Sequence, residues 1–220
     1  MRSVRSLFCG LLLALLGTGV AQAQTTLYTS APMSGAGSCL SPTGTEAATD
    51  ITTPAGTAYQ ITSASVGVND FAATASQLTV SVYSDASGAP GASVATLGTA
   101  ALSGAGSVTL NVTPAAPVAL AASTRYWIVV STNSTGACDV GWHFGSSPSG
   151  LFTHSADANL AGGTWSSNPG ANFEVSLLGV PVTPGTGTAV AVPTLSEWTL
   201  LMLAALLGLM AIRQARRRSR

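Results

Sequence analysis

The stretch Tyr126-Trp127-Ile128-Val129-Val130 is apolar at every position. Successive side chains of a β-strand point to opposite faces of the sheet, so an unbroken apolar run fits a strand that is covered on both faces. The stretch therefore predicts a central strand of a β-sheet.

Segments on both sides of this stretch predict further strands. Residues 78–83 and 108–112 alternate apolar and polar side chains, as do residues 173–177, and residues 59–68 form a weaker candidate. Clusters of Gly, Ser, Asn and Pro separate these segments and are typical of turns. Short strands at this spacing predict an all-β fold, namely an antiparallel β-sandwich of the jelly-roll type.

The charge distribution excludes one functional class. Only 7% of the 220 residues are charged, against about 25% in an average soluble domain. There is no Lys, and Arg125 is the one basic residue between the two chain ends, where seven acidic residues also lie, so this middle part has a net charge of −6. A nucleic-acid-binding protein needs Lys and Arg to contact phosphates. We therefore expect no nucleic-acid partner.

Residues 1–23 have the three parts of a secretory signal peptide. Arg2 and Arg5 form a basic start, residues 7–16 are apolar, and Ala21-Gln22-Ala23 is a small-x-small cleavage site. The mature protein is expected to begin at Gln24. The alternative is an uncleaved membrane anchor, which the short apolar run and the well-formed cleavage site disfavour.

The C-terminal end predicts a single transmembrane helix over residues 198–212, followed by an Arg-rich cytoplasmic tail. At about 1.5 Å per residue this helix is shorter than a hydrocarbon core of about 30 Å, so it spans only if the bilayer thins and the arginines snorkel. Trp198 would lie at the outer interface. A surface-bound amphipathic helix is the alternative, but the segment has no polar face.

The residues before this helix carry a specific motif. The order Val192-Pro193-Thr194-Leu195-Ser196-Glu197-Trp198, then the apolar helix, then the Arg cluster resembles the IPTL-CTERM sorting signal, a relative of the PEP-CTERM signals of Gram-negative bacteria. Val192 departs conservatively from the usual Ile. The resemblance implies an exosortase-like membrane enzyme as partner, which cuts near the motif and releases or re-anchors the protein. It also implies a link to exopolysaccharide and biofilm matrix.

The remaining chain divides by composition. Residues 24–49 are rich in small polar residues and are predicted to be loosely structured, residues 50–180 to form the β-sandwich ectodomain, residues 181–191 to be a Pro/Gly/Thr linker, and residues 192–220 to be the sorting signal. Val-Tyr-Ser-Asp at 82–85, Gly-x-Pro-Gly at 88–91 and Leu-x4-Arg-Tyr-Trp at 120–127 resemble the choice-of-anchor R type of surface domain. That resemblance implies a β-sandwich and no catalytic residues.

The cysteines predict a disulfide. Cys9 is removed with the signal peptide, which leaves Cys39 and Cys138 in an oxidising compartment. A bridge between them would close a loop of about 100 residues, for which chain entropy predicts a stabilisation of roughly 4–5 kcal/mol. A redox-active pair is the alternative, but the C-x-x-C spacing of such pairs is missing.

Both histidines lie in the densest group of chemically active residues, which comprises Asp139, Trp142, His143, His154 and Asp157. Convergent His and Asp side chains hold metal ions, but the D-x3-H and H-x2-D spacings match no standard metal motif. We therefore interpret the group as a polar surface loop, and we expect no metal and no cofactor.

Two other features have a structural and a functional interpretation. Asp85, in a Ser/Gly turn, is expected to accept hydrogen bonds from its own turn rather than to bind calcium. Tyr126 and Trp127 are expected in the core, as strand aromatics usually are. Trp142 and Trp165 have Gly/Ser-rich neighbours, and they are the candidate ligand-facing residues that would stack on sugar rings.

The functional expectation is a protein that is not an enzyme. No phosphate-binding glycine loop, G-x-S-x-G or H-E-x-x-H motif is present. The sequence predicts an exported structural or adhesive protein that passes through the inner membrane to the cell surface or matrix. The first alternative is a carbohydrate-binding module for exopolysaccharide. The second is a secreted hydrolase, which would need Asp139, His143, His154 or Asp157 to converge in a cleft.

Overall fold

The computed structural model describes residues 23–40, 46–71, 76–102, 106–134, 136, 138–168 and 172–182, with the backbone alone for 31–36. These residues form twelve β-strands and no helix. The strands are β1 Thr25–Leu40, β2 Glu46–Thr52, β3 Ala58–Asp70, β4 Ser76–Asp85, β5 Pro90–Leu102, β6 Gly106–Val112, β7 Val118–Leu120, β8 Arg125–Thr132, β9 Val140–Gly150, β10 Asp157–Ala161, β11 Thr164–Ser167 and β12 Val175–Val182.

The strands form two six-stranded antiparallel sheets. The first sheet has the order β12-β1-β9-β3-β6, with β7 also paired to β3 and β12 paired to β3 as well as to β1. The second sheet has the order β11-β10-β2-β8-β4-β5. The prediction of an all-β antiparallel sandwich is confirmed, and its jelly-roll type stays a prediction.

The main core lies between the two sheets, and alternate residues of each strand fill it. From the second sheet, β4 contributes Leu78, Val80 and Val82 while β8 contributes Ile128 and Val130. From the first sheet come Ile61, Val66, Val68, Val140, Trp142 and Phe173, among others. Each large apolar side chain that is buried in this way stabilises the fold by about 1.5–3 kcal/mol relative to an exposed position.

A second apolar cluster covers the outer face of the second sheet, which is the face turned away from the main core. Ala48, Trp127, Val129 and Ala158 are its buried members, and Tyr83, Ala156 and Trp165 pack against them. The strand β8 therefore has apolar neighbours on both faces, between β2 and β4. This arrangement is the physical reason for the unbroken apolar run at 126–130, and it confirms the prediction of a central strand.

Two segments that the sequence predicted to be irregular are strands. Residues 24–49 were expected to be loose, but β1 covers Thr25–Leu40 and β2 begins at Glu46. Leu27, Tyr28 and Leu40 are fully buried there. The histidine region was expected to be a loop, but Val140–Gly150 is β9. Small residues with few apolar neighbours conceal such strands, because the pairing partners and not local alternation hold them in the sheet.

The chain ends lie largely outside the described residues. The strand β12 runs to Val182 and so takes up the first residues of the predicted linker. Residues 1–22 of the predicted signal peptide (1–23) lie outside, as do the rest of the linker and the whole sorting tail with its predicted helix at 198–212. Among the residues that the structure describes, none belongs to a helix long and apolar enough to cross a bilayer.

A disulfide joins Cys39 to Cys138 across 99 residues, with a Cα–Cα distance of 5.0 Å. It connects the end of β1 to the turn before β9, and the prediction of this bridge is confirmed. Because β1 pairs with β9 over the adjacent residues, including Cys39 with Gly141, the bridge locks the register of these two strands.

Replacement of both bridge residues (Cys39→Ala with Cys138→Ala) is expected to lower the free energy of unfolding by up to roughly 4–5 kcal/mol, since the unfolded chain gains the freedom of a loop of about 100 residues. Urea denaturation of the oxidised protein and of the double variant measures this difference. Wild-type protein treated with a reducing agent is the control and should lose a similar amount, which assigns the loss to the bridge and not to the two new side chains. Equal midpoints for the double variant and the wild type would contradict a stabilising bridge.

Candidate functional site

The residues grouped by sequence separate into distinct places in the structure. His143 lies on β9 of the first sheet, whereas His154 lies in the link from β9 to β10. Asp139 accepts hydrogen bonds from Ser134 Oγ at 2.9 Å and from the Gly136 N–H at 2.7 Å, so it stabilises its own turn. Of the four residues named for the hydrolase alternative, His154 and Asp157 come together, with 3.2 Å between Nε2 and Oδ2, and both side chains are largely buried. No group of three or more metal-ligating side chains is found within the described part of the chain.

His154 lies between two buried carboxylates. Its Nδ1 is 2.9 Å from Asp50 Oδ1 and its Nε2 is 3.2 Å from Asp157 Oδ2. The two carboxylates are almost completely buried, and the imidazole is 11% exposed. Tyr28 from β1 lies beside the histidine, with 6.2 Å between ring centroids. The arrangement ties β2, β10 and the link between the sheets to one another.

Asp50 has the largest set of donors in this centre. Its carboxylate accepts hydrogen bonds from the Ser155 N–H at 2.7 Å, from Ser155 Oγ at 2.6 Å and from the Ala156 N–H at 2.9 Å. Arg125 Nη2 of β8 lies 2.7 Å from Asp50 Oδ2. A buried carboxylate is tolerated only with such partners, because an unpaired buried charge costs several kcal/mol.

The hydrogen-bond partners determine the charge states of Asp50, His154 and Asp157. Burial alone would raise the pKa of Asp50, but the hydrogen bonds from His154, Ser155 and Ala156 hold it well below its usual range. Burial alone would lower the pKa of His154, but its bonds to Asp157 and Asp50 raise it to about 10. Burial raises the pKa of Asp157, and His154 offsets this only in part. The pKa values of Asp50 and Asp157 shift in opposite directions, because only Asp50 accepts hydrogen bonds from Ser155 and Ala156.

The second histidine has a different carboxylate. His143 Nδ1 lies 3.0 Å from Glu174 Oε2, and its Nε2 lies 3.3 Å from Ser107 Oγ of β6. His143 and Glu174 are almost buried, whereas Ser107 is exposed. The Glu174 carboxyl lies against Gly67 of β3, where an added Cβ would collide with it. Glycine is thus required at position 67 if the Glu174 carboxyl is to lie here.

Trp142 points into the core, so the expectation that it faces a ligand is wrong. Its side chain is fully buried, it stacks on Phe173 at a centroid distance of 4.5 Å, and its indole N–H donates to the Glu174 carbonyl at 2.8 Å. The neighbouring position 143 faces outward because β9 alternates. The Gly-rich context of Trp142 reflects close backbone packing in β9, where Gly145 approaches Ser30.

Trp165 lies on β11, half-buried, and packs against the outer cluster of the second sheet. Within this face Arg125 lies over the Trp127 ring, with its Cζ 4.8 Å from the ring centroid. The Trp127 indole N–H donates to Asp85 Oδ1 at 2.8 Å, and the Gly88 N–H donates to Asp85 Oδ2 at 3.1 Å. The Asp85 carboxylate thus holds its own turn, as the turn interpretation expects, and also the indole N–H edge of Trp127.

Sequence reasoning missed Asp50, Glu174 and Ser107. The first two are acids within or beside strands, and an acidic residue at a strand position in so weakly charged a chain is a signal that they have buried partners. Nothing local marks Ser107 among many similar serines. Its partner His143 is 36 residues away in the chain, so only the strand pairing brings them together.

The stability of the sandwich is expected to decline in alkali. The folded-state pKa of His154, about 10, lies above its unfolded value of about 6.5, so its contribution is complete below that value and is lost as the pH rises toward 10. Asp50, with a depressed pKa, contributes above about 3.9 and loses its contribution as the pH falls. Urea denaturation between pH 5 and about 10 measures the alkaline change.

His154→Gln should remove most of the decline in the free energy of unfolding between about pH 6.5 and 10. His143→Gln is the matched control, because it alters the other histidine and leaves the His154 centre intact. A decline of the same size in His154→Gln as in the wild type would show that another group is responsible.

Comparison with known proteins identifies one segment of the chain. Residues 190–218 match the model of the IPTL-CTERM motif. No curated protein matches. Among solved structures, the cysteine protease and lectin-like domains of Cwp84, a surface layer associated protein of Clostridium difficile, are similar at 14% identity and a TM-score of 0.44, over 63% of this chain and 32% of that one.

A clostridial cysteine protease Cwp84 after propeptide cleavage gives the same identity and TM-score over 63% of this chain and 36% of that one. The chain thus spans about a third of the length of the solved chains that it matches. Similarity at this level carries no functional argument. The motif at 190–218 does, and the chain therefore carries an IPTL-CTERM sorting signal, a signal of the exosortase type found on proteins exported to the cell surface.

Proposed function

We propose that this protein is a structural or adhesive component of the cell surface or extracellular matrix of a Gram-negative bacterium. The observation that carries the proposal is the IPTL-CTERM motif at residues 190–218, which follows the β-sandwich in the chain. An exosortase-like enzyme is the proposed partner. It would act on an inner-membrane intermediate that the signal peptide exports and the helix at 198–212 holds.

Two properties of the sandwich support a location outside the cytoplasm. The Cys39–Cys138 disulfide suits an oxidising compartment. The scarcity of charge leaves Ser, Thr, Gly and backbone groups to form most of the solvated surface, and such a surface does not rely on ionic contacts that change with the salt concentration of the surroundings.

The use of the buried charges supports a structural role. Asp50 and Arg125 connect β2 to β8, while His154 connects both to β10 through Asp157. These groups are engaged with one another and hold the strands in place. A sandwich whose strands are held together by ion pairs and by a disulfide is suited to bear mechanical load or to present a surface.

Processing of the tail is expected to depend on the motif. In the native host, intact-mass analysis should find a product that begins at Gln24, ends near Val192–Leu195 and is two hydrogens lighter than the reduced chain. Pro193→Ala should yield a product that retains residues 198–220, because the sorting enzyme would no longer recognise the motif. Pro184→Ala, in the predicted linker, is the matched control and should be processed normally.

A wild-type product that retains residues 198–220 would mean that the tail is only an anchor, and the sorting part of the proposal would then be wrong. Equal processing of Pro193→Ala and the wild type would exclude this motif as the recognition element while leaving export intact.

A carbohydrate-binding module is the second candidate. The observation that favours it is the position of Trp165, which lies half-exposed on the outer face of the second sheet beside half-buried Tyr83. Aromatic rings at the edge of such a face stack on sugar rings, and the indole of Trp165 would provide the contact.

Trp165→Ala is expected to weaken co-sedimentation of the protein with exopolysaccharide from its host by roughly tenfold, the equivalent of about 1.4 kcal/mol. Leu151→Ala, which removes a 46% exposed apolar side chain, serves as the control for general loss of apolar surface. Equal co-sedimentation of Trp165→Ala and the wild type would exclude this face.

A further inference from the structure

The outer face of the first sheet carries three side chains in a hydrogen-bonded series. Ser107 projects from β6, His143 from β9 and Glu174 from the residue before β12. Trp142 and Phe173, which precede His143 and Glu174, fill the main core, and Val108, which follows Ser107, pairs with the core residue Val68. Alternation therefore turns the three polar side chains outward. Gly67 of β3 leaves the space that the Glu174 carboxyl occupies.

The hydrogen bonds define which nitrogen of His143 carries the proton. A carboxylate only accepts, so the 3.0 Å contact with Glu174 places the proton on Nδ1. In the neutral imidazole, Nε2 then presents a lone pair to Ser107 Oγ at 3.3 Å. This separation is slightly longer than the usual reach of about 2.6–3.2 Å between nucleophile and base, as is often found without a substrate.

The burial of the three groups differs in the way that nucleophilic catalysis needs. Ser107 is exposed, whereas His143 is 7% and Glu174 is 9% exposed. The hydroxyl is therefore open to a reactant, while the base and the group that orients it are shielded from water. The carboxylate–histidine pair lies directly beneath this hydroxyl, which is the order of groups that nucleophilic catalysis by serine uses.

We propose that Ser107 is a nucleophile for carboxylic esters, with His143 as its general base and Glu174 as a positioning residue. Ser107 Oγ would attack the carbonyl carbon and pass its proton to His143 Nε2. The tetrahedral intermediate would then break its bond to the alcohol oxygen, which takes the proton from His143. Water, activated by the same base, would release the carboxylic acid and restore Ser107, so that ester and water give acid and alcohol.

Two neighbours complete the site. Asn69 pairs directly with Ser107 across β3 and β6 and projects from the same face, where its side-chain amide would donate to the developing oxyanion. Phe71 is 57% exposed and its ring lies over Gly141, the β9 partner of Asn69. This ring would contact the apolar part of the ester. Short acyl esters, such as acetyl groups on a hydroxyl-bearing compound, are the substrate class that we propose for this site.

This inference goes beyond the proposed function. It retains export, sorting and display, and it adds a chemical activity to the displayed domain. The two can fail separately, because tail processing is measured by the mass of the product and Ser107 reactivity by covalent labelling. Ser107→Ala should therefore be exported and processed like the wild type.

The test is covalent labelling of the full-length chain, purified in detergent, with a fluorophosphonate probe that reacts with activated serines. Intact-mass analysis and peptide mapping should find one adduct, on Ser107 and not on the exposed Ser93 of β5. Hydrolysis of p-nitrophenyl acetate should show turnover by the same protein. Both signals should be absent from Ser107→Ala and unchanged in Thr109→Ala, which alters an exposed residue on the same strand and face.

The base and the positioning residue have their own variants. His143→Gln should slow labelling by about 100-fold or more, since general base catalysis typically contributes about that much. Glu174→Gln should also slow it, whereas Glu174→Asp should recover part of the rate, a rescue that a merely structural role would not produce. Gly67→Ala should slow labelling by displacing the Glu174 carboxyl, although all three groups remain.

Thermal unfolding of each variant separates loss of reactivity from loss of fold. The comparison of Ser107→Ala with Thr109→Ala does not depend on this control, because both positions are exposed. Labelling of wild-type Ser107 no faster than Ser93 would overturn the proposal. So would an unchanged labelling rate in a folded His143→Gln variant.

Discussion

The rest of the sandwich depends on the hydrogen bonds and ion pairs of the buried Asp50 carboxylate. Asp50 lies on β2 beside the link from β9 to β10, where the chain passes from the first sheet to the second. Its carboxylate accepts hydrogen bonds from two backbone N–H groups and one hydroxyl of that link. The backbone N–H of Asp50 donates in turn to the Ala156 carbonyl. With Arg125 and His154 in contact with the same carboxylate, one buried charge fixes β2, β8 and the connection between the sheets.

This use of charge is unusual for so weakly charged a chain. Four of the seven acids between the chain ends, namely Asp50, Asp70, Asp157 and Glu174, are buried. Both histidines are paired with buried carboxylates, in one case with two of them. Buried charges thus specify the arrangement of the interior, because a buried ion is tolerated only where the fold supplies all its hydrogen-bond partners. The surface relies on hydroxyl and peptide groups for solvation.

The outer faces of the two sheets differ as a consequence. The second sheet carries an apolar cluster in which Trp127 is covered by Arg125 and bonded to Asp85. The first sheet carries the polar series of Ser107, His143 and Glu174 over a glycine. An apolar, partly aromatic face suits contact with a polymer, and a shielded histidine beneath an exposed hydroxyl suits chemistry. The protein presents both on one rigid support.

The sequence by itself determined the all-β class, the central strand at 126–130, the Cys39–Cys138 bridge and the sorting motif. These follow from local alternation, from a count of two cysteines and from a contiguous motif, so neighbouring residues contain the information. The strands at 25–40 and 140–150 and the burial of Trp142 were decided only by tertiary structure. So were the partners of the histidines, since 104 residues separate Asp50 from His154 and 31 separate His143 from Glu174. The register of non-local strands sets these contacts, and no local pattern encodes that register.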